Sequence, residues 1–129
     1  MPNYMMLIYT PVEGAPSPDD PGLDLKRWRA YRRNLHDSGM LLGEGRLQPN
    51  DVATTVRVRN DETLITDGPF ADTKEYLVGY FLLDCPDLDT VLDLAARIPH
   101  IHYGTVEVRP MMELTPASEE VVEPAQAQT

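Results

Sequence analysis

The chain begins with a run of apolar strand formers, Tyr4-Met5-Met6-Leu7-Ile8-Tyr9-Thr10. It shows no polar alternation, as expected of a strand covered on both faces. Pro11 to Gly22 holds four prolines and two glycines and reads as a loop. A helix is predicted from Leu23 or Asp24. Leu25, Trp28, Tyr31 and Leu35 recur three and four residues apart, giving one apolar stripe. Gly39 fits the position just past its C-terminus. Met40 to Leu47 is a short strand-like segment whose Gly43 and Gly45 point to a bulge or a close backbone approach. Thr54 to Arg59 alternates cleanly, Asn60-Asp61 supplies a turn, and Glu62 to Thr66 returns, which predicts a hairpin. Tyr76 to Asp84 is another apolar strand. Asp87 is a natural N-cap for a second helix buried through Leu88, Val91, Leu92, Ala95 and Ile98 and stopped by Pro99. Thr105 to Pro110 alternates as the last strand.

The order is β-α-β, a hairpin, then β-α-β. It predicts an α+β fold, a ferredoxin-like βαββαβ sandwich with an inserted β-hairpin. Two helices cover one face of such a sheet. A second copy of the chain is the usual cover for the other, so a homodimer of the α/β-barrel type is expected. Beyond Leu114 the sequence TPASEEVVEPAQAQT is small, acidic and aperiodic. The division is therefore a domain over 1–114 and a disordered tail over 115–129.

Composition narrows the function. At 129 residues the chain is long enough for one core without staples. A net charge of −10 disfavours nucleic acid as a general partner. No apolar run approaches a membrane span and no signal-like segment precedes the first strand, so neither a membrane nor secretion is expected; the cytoplasm is. The single cysteine, Cys85, excludes an internal disulfide and reads as a core residue. The exception to the acidic balance is local: Lys26, Arg27, Arg29, Arg32 and Arg33 all fall on the first helix, as a solvated face or a surface for an anionic or acidic partner.

Candidate chemistry centres on Thr66-Asp67-Gly68-Pro69-Phe70, which combines turn residues with a carboxylate, and on Lys74 shortly after. Asp67 is a candidate general base or hydrogen-bond anchor and Lys74 a candidate stabiliser of an anion or enolate. The bland alternative has Asp67 capping backbone amides, Phe70 in the core and Lys74 paired in solvent. On the last strand Glu107 and Arg109 point away from Val106 and Val108, and would anchor a ligand if that face lined a dimer cavity. Arg57 shares this logic on the hairpin, and Phe70 and Tyr80 complete the expected substrate-binding set. His36 is a weaker acid–base candidate; adjacent Asp37 does not share its helix face, and a favourable interaction with the helix C-terminus is the alternative. His100 and His102 on one strand-like face would give two metal ligands, but no third is evident, so no metal or other cofactor is expected.

Several blocks occur in order: Tyr4 to Tyr9, Leu42-Gly43-Glu44-Gly45-Arg46-Leu47-Gln48-Pro49, Ala53 to Arg57, Thr66 to Phe70, Lys74 to Tyr80, and Gly104-Thr105-Val106-Glu107-Val108-Arg109-Pro110. Together they closely resemble the YCII-related family, in its DGPF-domain branch, over roughly residues 3 to 112. The resemblance implies a dimeric ferredoxin-like fold with a cavity near the sheet and the dimer interface. Many family members are encoded beside extracytoplasmic-function sigma factors, so a sigma factor is a candidate partner. Related YCII enzymes include a dehydrochlorinase that uses a His–Asp pair on small ring compounds without a metal or organic cofactor. Here the early helix carries aromatic and basic residues and His36 falls at its end, so that pair is not carried over. Three functions follow as expectations. The first is a cofactor-independent lyase, isomerase or dehydrochlorinase acting on a small cyclic or anionic molecule. The others are a ligand-binding or regulatory module working with a sigma factor, and a specialised cyclase or dimerising catalyst in biosynthesis.

Overall fold

A computed structural model describes residues 2–12, 20, 23–70 and 73–113. The expected acidic tail over 115–129 and Asp72 lie outside them. The elements run β1 (Asn3–Pro11), α1 (Leu25–Asp37), β2 (Leu41–Arg46), β3 (Thr54–Arg59), β4 (Glu62–Asp67), β5 (Glu75–Asp84), α2 (Leu88–Ala96) and β6 (Thr105–Pro110). Short 3₁₀ turns lie at Asn50–Val52 and Pro99–His102. The main sheet has the order β2-β5-β1-β6, with every neighbouring pair antiparallel, and β3 with β4 forms a separate ribbon. This is the ferredoxin-like α+β arrangement with the hairpin inserted between the second and third core strands.

Register decides which residues reach the core. Met6 lies opposite Phe81 on one side and Val108 on the other, and Tyr4 lies opposite Leu83. These side chains share one face, where Met6 and Leu83 are fully buried with Leu35, Val91 and Ile98. Met5, Leu7, Leu82, Glu107 and Arg109 alternate to the other face. Tyr31 joins the two helices: its ring packs against Phe81 at 5.9 Å, and its hydroxyl donates to the Leu94 carbonyl at 2.8 Å. Burial raises the Tyr31 phenol well above its ordinary pKa. Cys85 is buried, as its apolar strand predicts.

Local signals explain the boundaries. The Asp24 carboxylate caps α1 by accepting from the amides of Lys26 and Arg27, and Gly39 ends it at φ +77°. Asp87 caps α2 through the Thr90 amide, which holds its carboxyl below the usual range. Asn60 and Asp61 both take positive φ, the geometry of a tight hairpin turn. The β2 register slips between Leu41 and Gly43, as its glycines foretold.

Two expectations need correction. On α2 the buried residues are Val91 and Ala95, followed by Ile98 beyond the helix. Leu88 and Leu92 are exposed, because the nine-residue helix turns only a narrow stripe to the sheet. The segment from His100 to His102 is a 3₁₀ turn rather than a strand, so its two histidines do not share a strand face. No cluster of metal-ligating side chains occurs among the described residues.

Candidate functional site

Burial of α1 fades toward its N-terminus. Only Leu35 of its apolar stripe is buried, while Leu25 is 62% exposed and Trp28 and Tyr31 are half-buried. Beside this end of the helix lies a cleft of about 880 Å³, within the range of small-molecule sites. Its floor is the helix-side surface of the sheet: Ile8 and Thr10 of β1, Tyr76 and Phe81 of β5, Glu44 and Arg46 of β2. Leu25, Trp28, Arg29 and Arg32 of α1 form the roof. His100 and Tyr103, from the turn after α2, close one end.

The strand irregularities shape this floor. The β1–β5 register shifts between Ile8 and Tyr9, so Thr10 comes to lie opposite Tyr76. Gly79 lies where β2 and β5 approach closely; a β-carbon there would sit 2.8 Å from the Gly45 carbonyl oxygen. Gly104 meets a second crowded point. A β-carbon on it would overlap the Tyr9 carbonyl oxygen and lie 2.6 and 2.7 Å from Cδ2 and Nε2 of His100. Glycine at 104 therefore lets the His100 turn close onto β1.

The electrostatics of the cleft oppose those of the chain. Three arginines and one glutamate line it in a protein of net charge −10. Arg32 donates to Glu44 at 2.6 Å across the cleft, linking α1 to β2. Arg29 and Arg46 have no ion-pair partner among the described residues. His100 is half-buried, edge-on to Tyr103 with ring centroids 5.4 Å apart. Its Nε2 is buried and makes no hydrogen bond of ordinary geometry among the described residues. Burial lowers its pKa below the ordinary value, against smaller upward effects from the Asp20 carboxylate and the Tyr9 backbone. Burial therefore favours the neutral imidazole.

The residues expected from sequence lie mostly elsewhere. Asp67 ends β4 in an exposed position, and Lys74 is exposed just before β5. Arg57 and Phe70 meet, the guanidinium 4.5 Å from the ring centroid, but Phe70 is 69% exposed rather than in the core. Glu107 and Arg109 pair with each other at 3.0 Å on the sheet face opposite the helices. His36 is 81% exposed and approaches Asp37 loosely, at 3.8 Å. Tyr80 alone of the set lines the cleft along β5, and by register its ring turns to the open face, against Gly45. The DGPF corner closes the hairpin: Gly68, at φ +101°, donates to the Ala53 carbonyl and accepts from the Thr55 hydroxyl. Pro69 reaches a shallower recess with Tyr9, Val52 and Leu77. The reading of residues alone missed Trp28, Arg46, Tyr76 and His100 as neighbours. The available signals were the aromatic residues interleaved with arginines in α1 and the Gly104 that follows the histidines.

Fold and cleft together define a small ferredoxin-like α+β domain with a ligand-sized cavity between its first helix and its sheet. The chain belongs to the YCII-related domain family, whose pattern matches residues 4–115. It is also 37% identical over 112 residues to an uncharacterised protein of Rhizobium meliloti (strain 1021), covering 84% of this chain and 90% of that one. No helix among the described residues is long and apolar enough to cross a membrane.

Proposed function

We propose that the protein is a cofactor-independent enzyme that moves a proton on a small cyclic or anionic molecule bound in the cleft beneath α1. The observation that carries this reading is His100, a neutral imidazole half-buried at the end of an arginine-lined cavity. A titratable group perturbed by burial at the edge of a cleft is a candidate for function. In this reading the roles expected of Asp67 and Lys74 pass to cleft residues. The imidazole takes a proton from a carbon beside a carbonyl, and the C–H electron pair moves onto that carbonyl as an enolate. Where a double bond lies beside the deprotonated carbon, the electron pair reaches its far end as a dienolate and return of the proton there gives isomerisation; where the β-carbon bears a leaving group, its expulsion with the electron pair gives elimination. Neither outcome needs an outside oxidant or reductant.

The test is proton exchange. Ring ketones and ring carboxylates incubated with the protein in D₂O should lose the NMR signal of the proton beside the carbonyl, and His100→Gln should slow that loss by about 10²-fold or more. Compounds that bind in the cleft but never exchange would leave the chain a binding or regulatory module.

A second copy is the proposed cover for the open sheet face. Met5, Leu7 and Leu82 are only half-buried there, and the detached β3–β4 ribbon exposes Val56, Val58 and Ile65. A two-stranded ribbon is marginal in water unless something packs against it. Sedimentation equilibrium giving the monomer mass at micromolar concentration would end this part of the proposal.

A further inference from the structure

We infer that the cleft takes a ring compound bearing a single carboxylate, with the carboxylate held by Arg29 and Arg46 at the rim and the ring lying inward against Trp28 and Tyr76. The inference rests on the reading of the cleft as the functional site and assigns its ligand class. Arg29 and Arg46 are exposed, whereas Trp28, Tyr76, His100 and Tyr103 are half-buried, so charge sits at the mouth and aromatic surface within. The two arginines come from opposite walls. Arg29 belongs to α1, and Arg46 lies opposite Gly79 on the helix side of the sheet. Arg32 stands between them in function but not in availability, because Glu44 already occupies it at 2.6 Å. That leaves two guanidinium groups without ion-pair partners among the described residues, a donor set matched to a planar carboxylate.

The N-terminus of α1 does not offer the amides that a phosphate commonly uses. Helix N-termini commonly bind phosphate through free amides. Here the Asp24 carboxylate already accepts from the Lys26 and Arg27 amides. Asp24 also lies between Leu23 and Leu25, both on the cleft lining, and Glu44 adds a second carboxylate. Both carboxylates are already ion-paired, Asp24 with Arg27 at 3.4 Å and Glu44 with Arg32, so the preference for a carboxylate over a phosphate rests on the occupied helix amides. The apolar lining from Leu23, Leu25 and Leu47 suits a ring better than a polar chain.

Trp28 is the sole tryptophan, so its indole N–H gives one NMR signal that reports on the cleft. The probes are cyclohexanecarboxylate, cyclohexanecarboxamide and cyclohexyl phosphate, titrated into the full chain at low salt. The carboxylate should shift the Trp28 signal with about tenfold higher affinity than the amide. Arg29→Gln with Arg46→Gln should erase that preference, the paired lysine variants should keep part of it, and Arg109→Gln should keep all of it. Circular dichroism checks that each variant is folded. Equal affinity for carboxylate and amide would overturn the ligand class and leave the cleft as a binding site. Tightest binding by cyclohexyl phosphate would overturn the preference for a carboxylate over a phosphate. If none of the three perturbs Trp28, the reading of the cleft itself falls.

Discussion

Gly104→Ala is the substitution that most directly probes how the cleft is assembled. The new methyl would overlap the Tyr9 carbonyl oxygen, which belongs to the β1–β6 ladder where Tyr9 lies opposite Thr105. It would also lie 2.6 and 2.7 Å from two atoms of the His100 ring. An ordinary contact of this kind needs about 3.3–3.6 Å, so strand and turn must separate by the order of 1 Å. Overpacking of this sort costs about 1–3 kcal/mol, and a backbone obstacle places it at the upper end. The reduced freedom of the unfolded chain returns about 0.4–1 kcal/mol, leaving a net loss of about 2 kcal/mol. In thermal unfolding that is a fall in Tm of about 8 °C. Gly43→Ala is the control, because its β-carbon would meet Leu82 at an ordinary 4.0 Å, and its effect should stay within about 0.5 kcal/mol. Gly79→Ala, with a backbone oxygen at 2.8 Å, should fall between them. A Gly104→Ala protein as stable as Gly43→Ala would refute the close approach of the His100 turn to β1.

The neutral state of His100 makes an acid prediction. Its folded pKa lies below the ordinary 6.5, so at pH values under 6.5 the unfolded chain binds the proton more readily and stability falls. Urea midpoints should therefore drop less steeply below about pH 6.5 in His100→Gln than in the parent. Tyr31→Phe removes the hydroxyl that donates to Leu94, at a cost of about 0.5–1.5 kcal/mol by urea unfolding. The low end is favoured because the Leu94 carbonyl also accepts from the Arg97 amide. Asp67→Asn should change neither stability by more than about 0.5 kcal/mol nor ligand affinity in the Trp28 titration, since the carboxylate is exposed and lines neither cavity.

Most of the fold was legible because local signals agreed with one another. Asp24, Gly39, the Asn60-Asp61 turn and Asp87 each mark a boundary by local capping or turn chemistry, and the structure uses all four. The alternation of Val106 and Val108 against Glu107 and Arg109 also placed the two faces of β6 as observed. The site was less legible, because it is made by separation rather than by contact. The stripe Leu25-Trp28-Tyr31-Leu35 has the spacing of a buried helix face, yet only its C-terminal end is buried. Nothing in a period of three and four residues says that burial fades toward the N-terminus. Likewise Asp67 and Gly68 stand out in the sequence because turn chemistry is conspicuous, and that chemistry closes the hairpin at Ala53 and Thr55. His100 was visible only as a candidate metal ligand, because its neighbour in space, Gly104, acts through the backbone of a strand far away in sequence.

The most direct test of the cleft as the functional site is a crystal structure of the protein soaked with a panel of small ring carboxylates and ring ketones. The account predicts density beneath α1, among Trp28, Arg46, Tyr76 and His100, with bound carboxylates at Arg29 and Arg46. Compounds gathered instead at Asp67 and Lys74, or at the Glu107–Arg109 pair, with nothing beneath α1, would contradict it.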